Sequence, residues 1–193
     1  MRARRAGSAA LLLSLAAVAT SSLRAQSAQP WSIQGSLFLA NAKLGASSVG
    51  GAGFEAQLRY TPASVWSFGA GLQSTTHESG NDLLTISGIF FEPRYAIDIG
   101  NDRIAPYLAG RIALLNQEAD LATAKNASSS GSAIGAGGGL LFRASSTINI
   151  DLGVAMVNQA FGDAKASNGA TVSFKAFMGY IAKVGISVGF GTR

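Results

Sequence analysis

The sequence predicts an all-β protein, an eight-stranded antiparallel up-and-down transmembrane β-barrel. Three observations carry that expectation. Apolar and polar residues alternate with a period of two from Trp31 to the end, with no competing helical spacing. The chain is 48% hydrophobic, yet beyond its N-terminal run no apolar stretch reaches the roughly 20 residues of a spanning helix. Short and longer joins alternate between the apolar-polar segments, as in a meander with an even number of strands.

The segments follow in order. The first sets Trp31, Ile33, Leu37 and Leu39 against Ser32, Gln34 and Ser36. The second sets Phe54, Ala56, Leu58 and Tyr60 against Glu55, Gln57 and Arg59, and the third Trp66, Phe68, Ala70 and Leu72 against Ser67, Gly69, Gly71 and Gln73. In the fourth, Ile89, Phe91, Tyr95 and Ile97 oppose Glu92, Arg94 and Asp98; in the fifth, Ile104, Leu108, Ile112 and Leu114 oppose Arg103, Tyr107 and Arg111. The sixth carries Ile134, Leu140 and Phe142 against Gly135, Gly137, Gly139 and Arg143. The seventh places Ile148, Ile150, Leu152, Val154 and Met156 opposite Thr147, Asn149, Asp151 and Gly153. The closing stretch "YIAKVGISVGF" puts Tyr180, Ala182, Val184, Ile186, Val188 and Phe190 on one side. Pro93 and Pro106 share the apolar parity and mark places where a ladder thins.

The joins "TPAS", "GNDR" and "ASST" are short. "NAKLGASSVGG", "THESGND", "EADLATAKNASSSGS" and "QAFGDAKASNGA" read as longer polar loops at the opposite end. Both termini then fall at the short-turn end.

A soluble barrel buries its apolar parity inside, whereas a membrane barrel turns it toward lipid. Three features favour lipid. Glycines cluster on the polar parity, at 69, 71, 135, 137, 139, 153, 185 and 189. There they weaken a solvated strand but make room in a narrow lumen. Trp31, Tyr60, Trp66, Tyr95 and Phe190 lie on the apolar parity near the short turns, where an interfacial ring belongs. Only 13% of residues are charged, against roughly 25% in soluble domains. Glu55, Arg59, Glu92, Arg94, Arg103, Arg111, Arg143, Asp151 and Lys183 are therefore expected to point inward as an ion-pair network that plugs the lumen.

The N-terminus has the layout of a secretory signal peptide. Arg2, Arg4 and Arg5 precede an apolar run from Ala9 to Thr20, and Ala25 stands where cleavage belongs. This divides the chain into a signal peptide, 1–25, exported by the Sec route, and a barrel domain, 26–193. The whole chain carries 15 Lys+Arg and 10 Asp+Glu. Removing Arg2, Arg4, Arg5 and Arg24 leaves 11 against 10. The basic balance thus belongs to the leader and does not point to nucleic acid. With no cysteine, the fold contains no disulfide or thiolate site.

From residue 26 onward the chain resembles the small eight-stranded bacterial outer-membrane barrels, the group that includes OmpA-like and OmpX-like proteins. The most specific element is "KVGISVGF", where Lys183, Gly185, Val188 and Phe190 match that group's C-terminal assembly signal. Gly191, Thr192 and Arg193 follow it, so Phe190 is not terminal. The resemblance implies recognition by the outer-membrane assembly machinery, a lipid environment, periplasmic termini and a monomer.

Other motifs carry less. His77, the only histidine, stands beside Glu78 and Ser79, a composition compatible with a lipid-modifying hydrolase. Consecutive loop residues seldom converge as a relay, so a solvated loop histidine is expected. "GAGGGL" lacks the strand-turn-helix context of a nucleotide loop. The sequon at Asn126 carries no weight in a bacterial exported chain, and Glu118, Asp120 and Asp163 are expected to be solvated. No cofactor, metal or enzymatic role is expected. The expected role is structural or surface-interacting. The alternative is a narrow channel or carrier for small hydrophobic molecules, with Phe38, Phe90 and Tyr107 as its inward residues.

Overall fold

The computed structural model describes residues 29–44, 47–120, 126–166, 169, 171–172 and 176–192. The signal peptide expected at 1–25 lies outside the described residues.

Eight long strands make the wall: β1 (Trp31–Leu44), β2 (Ser47–Tyr60), β3 (Trp66–Ser79), β4 (Asp82–Ala96), β5 (Ile104–Asp120), β6 (Ala127–Arg143), β7 (Ile148–Phe161) and β10 (Phe177–Phe190). Two two-residue strands, β8 (Ala164–Lys165) and β9 (Thr171–Val172), sit between β7 and β10, with β8 pairing to β6 at Ser128. Every long strand is antiparallel to its neighbours, and the β5–β6 and β1–β10 pairings close the ring, so no long edge is left open.

The strands stagger as they go round. The row of opposed residues from Trp31 runs through Tyr60, Phe68, Pro93, Gly110, Ala136, Met156 and Tyr180. It returns to β1 at Asn41, whose side-chain oxygen accepts the Tyr180 N–H. The shear is thus ten residues, Trp31 to Asn41, which for eight strands means a tilt of about 40° and an interior only wide enough for side chains.

Pairing breaks where proline requires it. The β4–β5 ladder runs to Phe91↔Ile112 and resumes at Arg94↔Ala109, skipping Glu92 and Pro93, because proline has no N–H to donate. Pro106 keeps its place opposite Leu140, and its carbonyl accepts the Ile97 N–H at 2.8 Å. At the short-turn end, Asn101 Oδ1 accepts from the N–H groups of Arg103 and Ile104, and Ser145 Oγ from Ile148.

The apolar parity faces outward. Leu37, Leu39 and Val154 are 68%, 65% and 66% exposed, in a continuous apolar band that only lipid solvates well. Trp31, Tyr60, Trp66, Tyr95 and Phe190 rim the short-turn end of that band, with Trp31 4.6 Å from Tyr60 and Trp66 5.1 Å from Tyr95 between ring centroids. At the other end the outward residues turn polar at Asn41, Ser74, Ser87, Asn116, Ser132 and Asn158, one collar position on each of six strands.

Beyond the collar the strands continue, which differs from the sequence expectation. The joins read as long loops after β1 and β3 shrink to residues 45–46 and to Gly80–Asn81, the latter with Gly80 at φ 63°. In these extensions the two faces exchange character. Thr76, Glu78, Thr85, Glu118 and Ser128 point outward, while Leu84, Ile86, Leu115, Phe161 and Phe177 form a buried apolar cluster inside. The barrel is inside-out along the apolar band and ordinary above it.

Candidate functional site

Inside the band the inward positions of β1 to β5, β7 and β10 converge on three carboxylates. Glu92 of β4 is central. It meets Arg59 at 3.0 Å, Arg94 at 2.8 Å, Arg111 at 2.9 Å and Lys183 at 2.9 Å. Glu55 of β2 takes Arg111 at 2.8 Å and Lys183 at 3.0 Å, and Asp151 of β7 takes Arg94 at 2.7 Å. Six of these seven charged residues are buried, and the Lys183 side chain is 7% exposed. Buried charges persist only with partners such as these.

Neutral residues complete the cluster. Asp151 also accepts from Gln34 Nε2 at 2.7 Å and the Tyr107 hydroxyl at 2.8 Å. Arg111 donates to Gln73 Oε1 at 2.6 Å, and Arg59 to Gln57 Oε1 at 2.9 Å and Ser67 Oγ at 3.0 Å. The Arg94 guanidinium stacks over Tyr107 at 4.4 Å and that of Arg111 over Phe90 at 3.7 Å. These glutamines, Ser67 and Tyr107 were legible only as members of the inward parity.

Glycines give the long side chains their room. A Cβ on Gly69 would stand 2.7 Å from Arg59 Nη2, and one on Gly153 would stand 2.6 Å from the Tyr107 oxygen. The void between Glu92, Tyr107, Arg111 and Lys183 measures about 20 Å³, the room of about one water.

Two of the expected luminal charges lie elsewhere. Arg103 is exposed: it precedes β5, in the turn held by Asn101, so strand parity does not apply to it. Arg143 is half-buried at the short-turn end of β6, where its charge faces Asp102, away from the central carboxylates. The inward aromatics of the carrier alternative are packed. Phe38 lies against Val157 and Ile181, Phe90 under Arg111, and Tyr107 on Asp151.

His77 is a correction: it is 1% exposed, inside the extension of β3. Its Nδ1 is 3.3 Å from the Val49 carbonyl and its Nε2 3.3 Å from the Thr75 hydroxyl. Burial pushes its pKa below the ordinary histidine value, against the opposing effect of the Val49 bond. Glu78 points to the other face, so His77, Glu78 and Ser79 do not converge. Among the described residues no cluster of His, Cys, Asp and Glu could hold a metal.

Solved structures share this architecture. Neisserial surface protein A superposes with a TM-score of 0.68 at 17% identity, over 86% of this chain and all of that one. This chain has the fold of the small outer-membrane barrels. Ail of Yersinia pestis (TM-score 0.53, 15% identity, 82% of this chain and 96% of that one) is a second small outer-membrane barrel with the same fold. The N-terminal barrel domain of Pseudomonas aeruginosa OprF (0.53, 10%, 84% and 98%) is a third. No protein-family model matches the chain, and no curated protein matches it in sequence. Within the outer-membrane barrel fold, Lys183, Gly185, Val188 and Phe190 all lie on the closing strand β10, with Lys183 and Gly185 inward and Val188 and Phe190 outward.

Proposed function

We propose that this chain is a bacterial outer-membrane protein with a structural or surface-interaction role, a sealed lumen and no enzymatic activity. The observation that carries the reading is the filled interior. Ion pairs occupy the lumen across the apolar band, an apolar cluster occupies it above the collar, and the void beside Lys183 has room for about one water. The termini face the periplasm, because the short turns share their end of the barrel and the extended strands project from the other. The protein is a monomer that β10 delivers to the assembly machinery, and its outward strand extensions are the surface available to partners.

Conductance of the purified protein in a planar lipid bilayer tests the seal. The expected trace is a closed baseline; a steady open channel overturns the reading. Lipid A analysis of cells with and without the protein tests the absence of hydrolase activity, and a changed acylation pattern that Thr75→Ala or His77→Ala abolishes would reinstate an enzyme.

A further inference from the structure

The lumen carries more positive charge than its own acids neutralise. Four cations, Arg59, Arg94, Arg111 and Lys183, face three carboxylates, Glu55, Glu92 and Asp151. The surplus falls at one place. Arg59 has its ion pair with Glu92 Oε1, and Arg94 binds that same oxygen. The two guanidinium groups therefore stand side by side at one carboxylate oxygen that Lys183 also reaches at 3.2 Å, and since Arg94 has Asp151 as well, the surplus rests on Arg59.

Their remaining N–H groups are defined by the contacts already made. Arg94 meets Glu92 and Asp151 through Nε and Nη2, which leaves Nη1. Arg59 uses Nη1 on Ser67 and the Glu92 carbonyl, and Nη2 on Gln57 and Glu92, which leaves Nε. The Gln57 oxygen is taken by Arg59, which leaves its Nε2. Gln57 Nε2, Arg59 Nε and Arg94 Nη1 are all buried, and among the described residues no atom accepts from them. Their residues are 3%, 5% and 1% exposed, so solvent does not compensate them either.

Neighbouring inward hydroxyls can donate as well. Ser32 lies opposite Arg59, and Ser67 opposite Arg94. Ser67 Oγ already accepts from Arg59, so its hydroxyl proton is free to point elsewhere. Ser187 is inward on β10 at the same end. This end of the lumen is thus rich in hydroxyl and N–H donors with an excess positive charge, and it also holds the buried Asn149 Oδ1, an acceptor without a partner among the described residues. Ser32, Ser67 and Ser187 lie between the ion-pair cluster and the short-turn mouth, the side from which a solute would enter.

We infer that the short-turn end of the lumen binds one small monovalent inorganic anion of the halide class, held by Arg59, Arg94 and Gln57 with hydroxyls from Ser32 and Ser67. The site goes beyond the sealed-barrel reading and does not depend on it. A halide suits the place better than a carboxylate or phosphate because the surplus is a single charge and the interior admits only small groups.

Bromide is the probe. Crystals grown with bromide should show an anomalous peak within hydrogen-bonding distance of Arg59 and Arg94; a water there with no anomalous signal overturns the site. In nanodiscs at constant ionic strength, replacing gluconate by chloride should raise the unfolding temperature with a saturable dependence. Bromide seen only at crystal concentration, with no such dependence in solution, also overturns it. Arg59→Gln should abolish the chloride effect. Should that variant not fold, Gln57→Met and Ser32→Ala should each weaken the half-saturation several-fold, and unchanged half-saturation in both counts against the site.

Discussion

The guanidinium of Arg111 lies 3.7 Å over the ring centre of Phe90. Below this contact Arg111 reaches Glu55, Glu92 and Gln73, and above it Phe90 joins the apolar cluster with Leu84, Ile86 and Leu115. One cation–π pair joins the ion-pair cluster to a region where apolar side chains predominate, although Thr75, His77, Gln117 and Gln159 are buried there too. Arginine suits that position, because its planar group desolvates on an aromatic face while its edge stays hydrogen-bonded.

Glu92→Gln removes the carboxylate that four cations share. Breaking a buried pair costs about 3–5 kcal/mol because the partners stay buried. The midpoint of urea unfolding in lipid vesicles should fall accordingly, and an unchanged midpoint would show that the network adds no stability.

Leu84→Ala should cost about 2–5 kcal/mol by leaving a hole in the apolar cluster above the collar. The extensions of β3 and β4 should then become protease-sensitive while the lipid-embedded part stays intact. Simultaneous loss of both parts would mean the two halves unfold as one.

The collar predicts where lipid ends. Leu37→Arg, nearer the middle of the apolar band, should destabilise the folded state by about 2–4 kcal/mol, whereas Thr76→Arg, above the collar, should cost about 0–1 kcal/mol. Equal penalties in vesicle refolding would move the boundary.

His77 makes the projecting part sensitive to acid. Its pKa is lowered in the fold, so the unfolded chain takes up a proton first as pH falls. The stabilising contribution is complete above about pH 6.5 and is lost progressively as pH falls below it. Protection factors of the amides on β3 and β4 above the collar, with the intrinsic pH dependence of exchange divided out, should fall from about pH 7.5 to about pH 5. His77→Gln should remove the part of that change due to the imidazole.

Phe190→Ala should slow insertion by the assembly machinery with little effect on the folded barrel. Pulse-labelled cells would show a longer-lived unfolded form, and wild-type kinetics would argue that β10 is not read as a signal.

The wall of the barrel was legible because alternation holds one phase from Trp31 to Leu39 and from Tyr180 to Phe190. The extensions were not, for a physical reason. In Asp82–Ser87 the inward residues are Leu84 and Ile86 and the outward ones Thr85 and Ser87, the reverse of Ile89–Tyr95. A reading tuned to one phase stops at Ile89, leaves residues 83–88 out of the strand and takes 76–82 for loop. His77 went the same way, since Gln73, Thr75 and His77 offer no apolar parity to follow. Within the lumen the charges of Glu55, Glu92, Arg94 and Lys183 follow from parity alone. Their partners do not, because a pairing across the barrel depends on the stagger, which alternation leaves open.

That stagger gives the ion pairs a further consequence. A slip of one residue between strands would turn every side chain to the wrong side, so solvent preference alone forbids it. A slip of two keeps lipid and lumen satisfied and moves each residue along by about 7 Å. Lys183 on β10 holds Glu55 on β2 and Glu92 on β4 across the bore, at contact distances that such a slip would destroy. The charges act as the teeth of a key: hydrophobicity admits several cylinders, and these bonds select the one with the right thread.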